Sequence, residues 1–153
     1  MKLAVCAGPA TTGKTSVLRH LTRKLLANGR KVAFLKIDVQ FAEEDVQMAA
    51  EFGIPARKVY SGELCPDHCN VMVLGDALQW AYKAGCDVLL VETAGLCLRC
   101  SPYADGALGL IVLEATSGMM HHATTSKRDV INARSWVRMR RPIHKHDHWT
   151  NAG

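Results

Sequence analysis

Apolar positions along the chain change their spacing several times, and each change marks an element. Residues 2–7 (KLAVCA) form a short apolar run that breaks at Gly8-Pro9, the pattern of a buried strand entering a tight loop. From Thr15, the residues Val17, Leu18, Leu21, Leu25 and Leu26 recur at helical spacing until Asn28-Gly29 stops them. Residues 31–37 (KVAFLKI) predict a second strand, opening into Asp38-Val39-Gln40. Residues 43–52 predict a second helix with Val46, Ala49, Ala50 and Phe52 on its inner side, and residues 58–60 a short strand. A third helix is expected over about residues 70–83, where Val71, Leu74, Leu78, Trp80, Ala81 and Tyr82 fit a buried stripe and Gly85 follows. Residues 87–91 (DVLLV) and 109–113 (GLIVL) are apolar runs without alternation. Unalternated strands separated by helices require a parallel sheet covered on both faces, so the expected fold is an α/β doubly wound domain with about five strands.

After Gly118 that pattern fails. No clean apolar strand appears in residues 119–153, and the arginine-rich stretch 134–142 predicts at most one basic helix before Pro142. We expect one nucleotide-binding domain over 1–118 and a basic, His-rich and unstructured tail over 119–153. Loss of the pattern at that point is what a truncated or frame-altered C-terminus produces.

Charge follows the same division. Residues 1–119 are neutral on balance, so the net charge of +5 belongs to the tail, which also holds five of the seven histidines. Neither the arginines nor His144-x-His146-x-His148 comes with aromatic interleaving or a nucleic-acid module, so no specific nucleic-acid partner is expected. With 48% apolar residues in 153, the chain can bury one core. Its apolar runs fall far short of the roughly 20 residues that cross a bilayer, and the first is too short for a secretory signal. A cytoplasmic location follows, and with it reduced thiols for Cys6, Cys65, Cys69, Cys86, Cys97 and Cys100.

Between the first strand and first helix lies Gly8-Pro9-Ala10-Thr11-Thr12-Gly13-Lys14-Thr15-Ser16, which fits G-x-x-x-x-G-K-[ST] in the strand-to-helix context that gives the motif meaning. Gly8 and Gly13 allow main-chain N–H groups to turn toward phosphate oxygens, and the helix N-terminus adds unpaired donors and its positive dipole end. Lys14 would reach the terminal phosphates, and the Thr15 hydroxyl can ligate Mg²⁺. Glu92 and Asp38 close two strands at the same sheet edge, where they could hold Mg²⁺ or orient the attacking water, while the Gly95 N–H could meet the γ-phosphate. Cys65-x-x-x-Cys69, with His68 between, and Cys97-x-x-Cys100 place four sulfurs in two predicted loops. Such a donor set suits Zn²⁺, an Fe–S cluster, or Ni²⁺ or Co²⁺ in transit. Because Cys97 and Cys100 follow Gly95 closely, capture of the γ-phosphate could re-aim them.

The order of GPATTGKTS, KVAFLKID, SGELCPDH and DVLLVETAGL resembles the CobW/HypB/UreG group of P-loop GTPases over residues 1–118. ETAGL (residues 92–96) is similar to the Walker-B and switch segment of the CobW branch, and Ser61-Gly62-x-x-Cys65-Pro66-x-His68 to the Cys-Pro-His segment of the urease branch with one residue inserted. The resemblance implies Mg²⁺-dependent GTP hydrolysis, nucleotide-dependent homodimers, and delivery of a metal to a client metalloprotein or maturation factor. By position it assigns Lys14 and Thr15 to phosphate and Mg²⁺, Asp38 and Glu92 to metal and water, and Cys65 with His68 to the transferred ion. The guanine-reading [NT]-K-x-D motif has no clean copy, only a loose one at Ser126-Lys127-Arg128-Asp129, so GTP and ATP both stay open. Three other readings share the phosphate loop: an Fe–S carrier ATPase, a small-molecule kinase, and a nucleotide-binding remnant without catalysis.

Overall fold

The computed structural model describes residues 1–39, 41–63, 66–95, 107–113 and 137–139. In chain order the elements are β1 (Lys2–Ala7), α1 (Lys14–Ala27), β2 (Val32–Asp38), α2 (Glu44–Phe52), β3 (Ala56–Tyr60), α3 (Pro66–Lys83), β4 (Val88–Thr93), β5 (Ala107–Val112) and β6 (Val137–Met139). They build one sheet in the order β3-β2-β4-β1-β5-β6. The first five strands are all parallel, as the unalternated apolar runs of β1, β2, β4 and β5 predict, with the polar β3 at the edge. β6 runs antiparallel to β5, so three residues of the arginine-rich stretch form an edge strand where the pattern predicts at most a helix. Their signal is too short to stand out from the charges around it.

Each strand divides its side chains between the two faces. Leu3, Val5, Ala33, Leu35, Leu89 and Val91 pack with Leu74, Ala77 and Ala81 of α3 on one face. Ala4, Cys6, Val32, Phe34, Val88 and Leu90 pack with Leu18 of α1 and Met48 of α2 on the other. Helices therefore cover both faces, α3 on one side and the α1–α2 pair on the opposite side.

Two helices depart from the sequence reading. On α2 the buried positions are Asp45 and Met48, whereas Val46 is exposed, so its inner stripe is rotated by one residue from the expected one. α3 begins at Pro66, about four residues early, because proline is pre-organised for the first helical position and loses nothing there. His68 and Cys69 consequently lie in a helix rather than a loop. Tyr82, placed on the buried stripe by the pattern, is exposed. No helix among the described residues is long and apolar enough to cross a membrane.

Candidate functional site

The site lies where β1, β2 and β4 end, on the face covered by α1 and α2. Strand parity puts it there: the even-numbered positions that carry Ala4, Phe34 and Leu90 into the core continue as Cys6, Lys36 with Asp38, and Glu92. The register pairs Cys6 with Glu92 and Lys36 with Glu92, so these three residues form a row across adjacent strands. The same alternation that fills the core ends in charge at the sheet's C-terminal edge.

Between β1 and α1 the chain forms the phosphate-loop turn. Gly8 has φ 155°, and a Cβ there would stand 2.1 Å from the Val112 carbonyl oxygen of β5, so only glycine fits. Gly13 takes a left-handed φ of 89° at the N-cap of α1 and provides no side-chain cap, and no acidic residue occupies the first turn. The first N–H groups of α1 and its positive dipole end are thus left without a counter-charge from their own helix. Thr11 holds a left-handed φ of 64° without being glycine, a local strain of the kind found at ligand-gripping turns. Lys14 folds back over the turn and donates to the carbonyls of Gly8 at 2.9 Å and Pro9 at 2.7 Å.

The Thr15 hydroxyl lies 3.0 Å from both carboxylate oxygens of Glu92. Glu92 is inside β4 rather than beyond its end, since the strand continues to Thr93, and both residues are buried. Lys36 Nζ donates to Glu92 Oε1 at 2.7 Å and lies 3.4 Å from Asp38 Oδ2 and 3.4 Å from Glu44 Oε1. Asp38, the last residue of β2, accepts the Val39 N–H on its other oxygen at 2.7 Å. Together these groups line a cleft of about 490 Å³ that also touches Ala10, Thr11, Gly13, Ser16 and Ala94.

Burial and charge act in opposition within this cleft. Burial lowers the Lys14 pKa, and the neighbouring Lys36 ammonium lowers it further, against the attraction of Glu92. Lys36 is also pulled down by burial, but Glu92, Glu44 and Asp38 outweigh that and leave it raised. Cys6 is pushed up to about 12, first by burial and then by the Glu92 charge beside it, so at neutral pH it is an inert thiol.

The structure thus brings the loop residues, Asp38 and Glu92 to one cleft. Gly95 adjoins it, its carbonyl accepting the Gly8 N–H at 2.9 Å. Cys69 goes elsewhere: its thiol is buried in the apolar cluster under α3, where burial raises its pKa. Cys65, Cys97 and Cys100 lie outside the described residues, as does the side chain of His68. Among the described residues no three His, Cys, Asp or Glu side chains are grouped as metal ligands.

Two charged residues of the cleft escape the sequence reading, Lys36 and Glu44, as do its apolar lining residues Val39 and Ala94. Lys36 has a legible signal, a lysine at a core-facing position of an otherwise apolar strand. Glu44 has none, since an acid in the first turn of a helix is common.

Comparison with known proteins agrees with this architecture. The description "CobW/HypB/UreG, nucleotide-binding domain" matches residues 2–143. The protein MJ0120 of Methanocaldococcus jannaschii is 44% identical over 118 residues, which cover 77% of this chain and 50% of that one. The chain spans about half the length of this curated relative. Among solved structures, HypB from Helicobacter pylori in complex with nickel aligns with a TM-score of 0.61 at 22% identity, over 77% of this chain and 54% of that one. The signal recognition particle receptor FtsY from Elizabethkingia anophelis in complex with GDP gives 0.59 at 21% identity, over 82% and 46%. These two likenesses establish the P-loop NTPase fold. The match across residues 2–143 makes the chain a member of the CobW/HypB/UreG family through its nucleotide-binding domain.

Proposed function

We propose that this chain binds and hydrolyses a nucleoside triphosphate, GTP or ATP, with Mg²⁺, and uses the cycle to handle a metal ion during metallocentre or cofactor assembly. One observation carries the reading: Lys14 reaches back over the phosphate-loop turn while Thr15 meets Glu92, inside one cleft at the sheet's C-terminal edge.

The residues fit both ligands. Main-chain donors of the loop and first turn, with Lys14, suit a polyphosphate. The Thr15 hydroxyl and the Asp38 and Glu92 carboxylates are the hard oxygen donors that Mg²⁺ takes, and buried Glu44 Oε2 has no hydrogen-bond partner. Held by these residues, Mg²⁺ would supply positive charge to the phosphate oxygens. Lys14 exchanges its bonds to the Gly8 and Pro9 carbonyls for phosphate oxygens, which compensates an ammonium that burial disfavours. Asp38, the more exposed of the two acids, would orient the water and accept its proton. Glu92, engaged by Lys36 and Thr15, holds the constellation together.

For the transferred ion we assign Cys65, His68, Cys97 and Cys100, and leave out Cys69 because its thiol is enclosed by the core. HypB, of the same fold, was solved with nickel, which supports a soft or borderline divalent cargo. A client metalloprotein and nucleotide-dependent pairing of two chains belong to the same proposal.

The test is a titration of the reduced chain with Ni²⁺, Co²⁺ and Zn²⁺, with and without non-hydrolysable GTP and ATP analogues. Metal affinity that changes with nucleotide and is lost in a Cys65→Ala, Cys97→Ala double variant supports the proposal. Metal binding indifferent to both changes removes metal handling, and phosphate release that requires a small acceptor replaces hydrolysis with a kinase.

A further inference from the structure

One ammonium stands where three carboxylates converge. The Lys36 side chain is 4% exposed, and the Glu92 side chain it contacts at 2.7 Å is 2% exposed. Asp38 and Glu44 complete the ring at 3.4 Å each. The Glu92 oxygens are also those that meet the Thr15 hydroxyl, so Lys36 occupies an oxygen that a hard divalent cation bound beside Thr15 would share. Lys14 is the second ammonium of the cleft, and it is turned onto the Gly8 and Pro9 carbonyls.

We propose that Lys36 is a positioning residue that serves as the resident counter-ion of the cleft, holding its carboxylates in the nucleotide-free protein and keeping divalent cations out until phosphate charge enters. The inference rests on the Mg²⁺-nucleotide reading above. An ammonium and a divalent cation on the same carboxylate repel each other strongly in a site shielded from water. Without nucleotide, the cleft's negative charge is too small for both. The triphosphate brings enough negative charge for Lys14, Lys36 and the metal together. A lysine suits this exchange because its four-carbon stem can re-aim a compact charge without leaving the cleft.

The experiment follows Mn²⁺, an EPR-visible probe for Mg²⁺ sites, in the full chain. Wild type should bind Mn²⁺ only when GTP or ATP analogue is present. Lys36→Met and Lys36→Gln should bind it without nucleotide, at least about tenfold more tightly than the limit below which wild type shows no binding, and lose that gain on adding Glu92→Gln. Lys36→Arg, which keeps the charge, should stay free of Mn²⁺ as wild type does. Nucleotide-independent Mn²⁺ binding by wild type overturns the inference, as does a folded Lys36→Met or Lys36→Gln that gains none. If the variants do not fold, the two wild-type titrations decide the matter. If wild type takes no nucleotide but the variants gain Mn²⁺, the nucleotide reading fails and the counter-ion role stands.

Discussion

Glycine at position 8 answers to two constraints, a backbone angle of 155° and a β5 carbonyl oxygen 2.1 Å from where a Cβ would be. The nearest obstacle is main chain rather than the soft end of a side chain, with the Thr12 hydroxyl next at 3.2 Å, so Gly8→Ala must displace main chain. We expect a loss of about 1–3 kcal/mol in denaturant unfolding, together with weakened nucleotide binding. Cys6 leads to a different expectation. Its pKa of about 12 in the folded chain stands above the ordinary 9.0, so unfolding favours loss of the proton at alkaline pH. The stability it contributes is complete below about 9 and falls as pH rises toward about 12. Cys69 and Cys86 shift in the same direction. Denaturation midpoints measured across that window should fall, and Cys6→Ala should flatten part of the slope. The loop residues are legible from sequence because the motif carries their chemistry. Lys36 has its signal in KVAFLKID, a lysine at a core-facing position, but that Glu92 stands opposite it emerges only from the register.

At the scale of elements, strands are the most legible because an apolar run without alternation has few other uses. Helix faces are less so. α2 has nine residues, and its small apolar residues fit two adjacent stripes; packing of Met48 under the sheet chooses between them. The start of α3 is hidden by Cys-Pro-Asp-His, whose proline reads equally as a loop or as a first helical turn. α2 is moored to α1 at its outer surface: Glu51 pairs with Arg19 at 3.2 Å and Arg23 at 2.8 Å, Arg19 also bonds Gln47, and Arg23 lies over the Phe52 ring. These side chains are substantially exposed, so the tie is weak. Glu51→Ala should lower stability by no more than about 1 kcal/mol and leave nucleotide affinity unchanged, as measured by denaturation and equilibrium binding.

For the molecule as a whole, the parallel order β3-β2-β4-β1-β5 inserts β4 between β1 and β2, and that insertion brings Glu92 between Cys6 and Lys36. The linear motif order makes the family legible, whereas which strands lie side by side emerges only from packing. If the cleft holds nucleotide in the native state alone, Mg²⁺ and nucleotide at a hundredfold their dissociation constant should stabilise the chain by about 2.7 kcal/mol. A thermal shift assay should show this rise in wild type and its absence in Lys14→Ala.

The hydrogen bond from Gly8 to the Gly95 carbonyl stitches the turn after β1 to the turn after β4. Pulling either turn away from the other strands a main-chain donor, a penalty of about 1–3 kcal/mol if water does not replace the partner. The two therefore travel as a pair, and the polypeptide that sets out from Gly95 toward Cys97 and Cys100 departs from an anchorage whose position the phosphate cradle dictates.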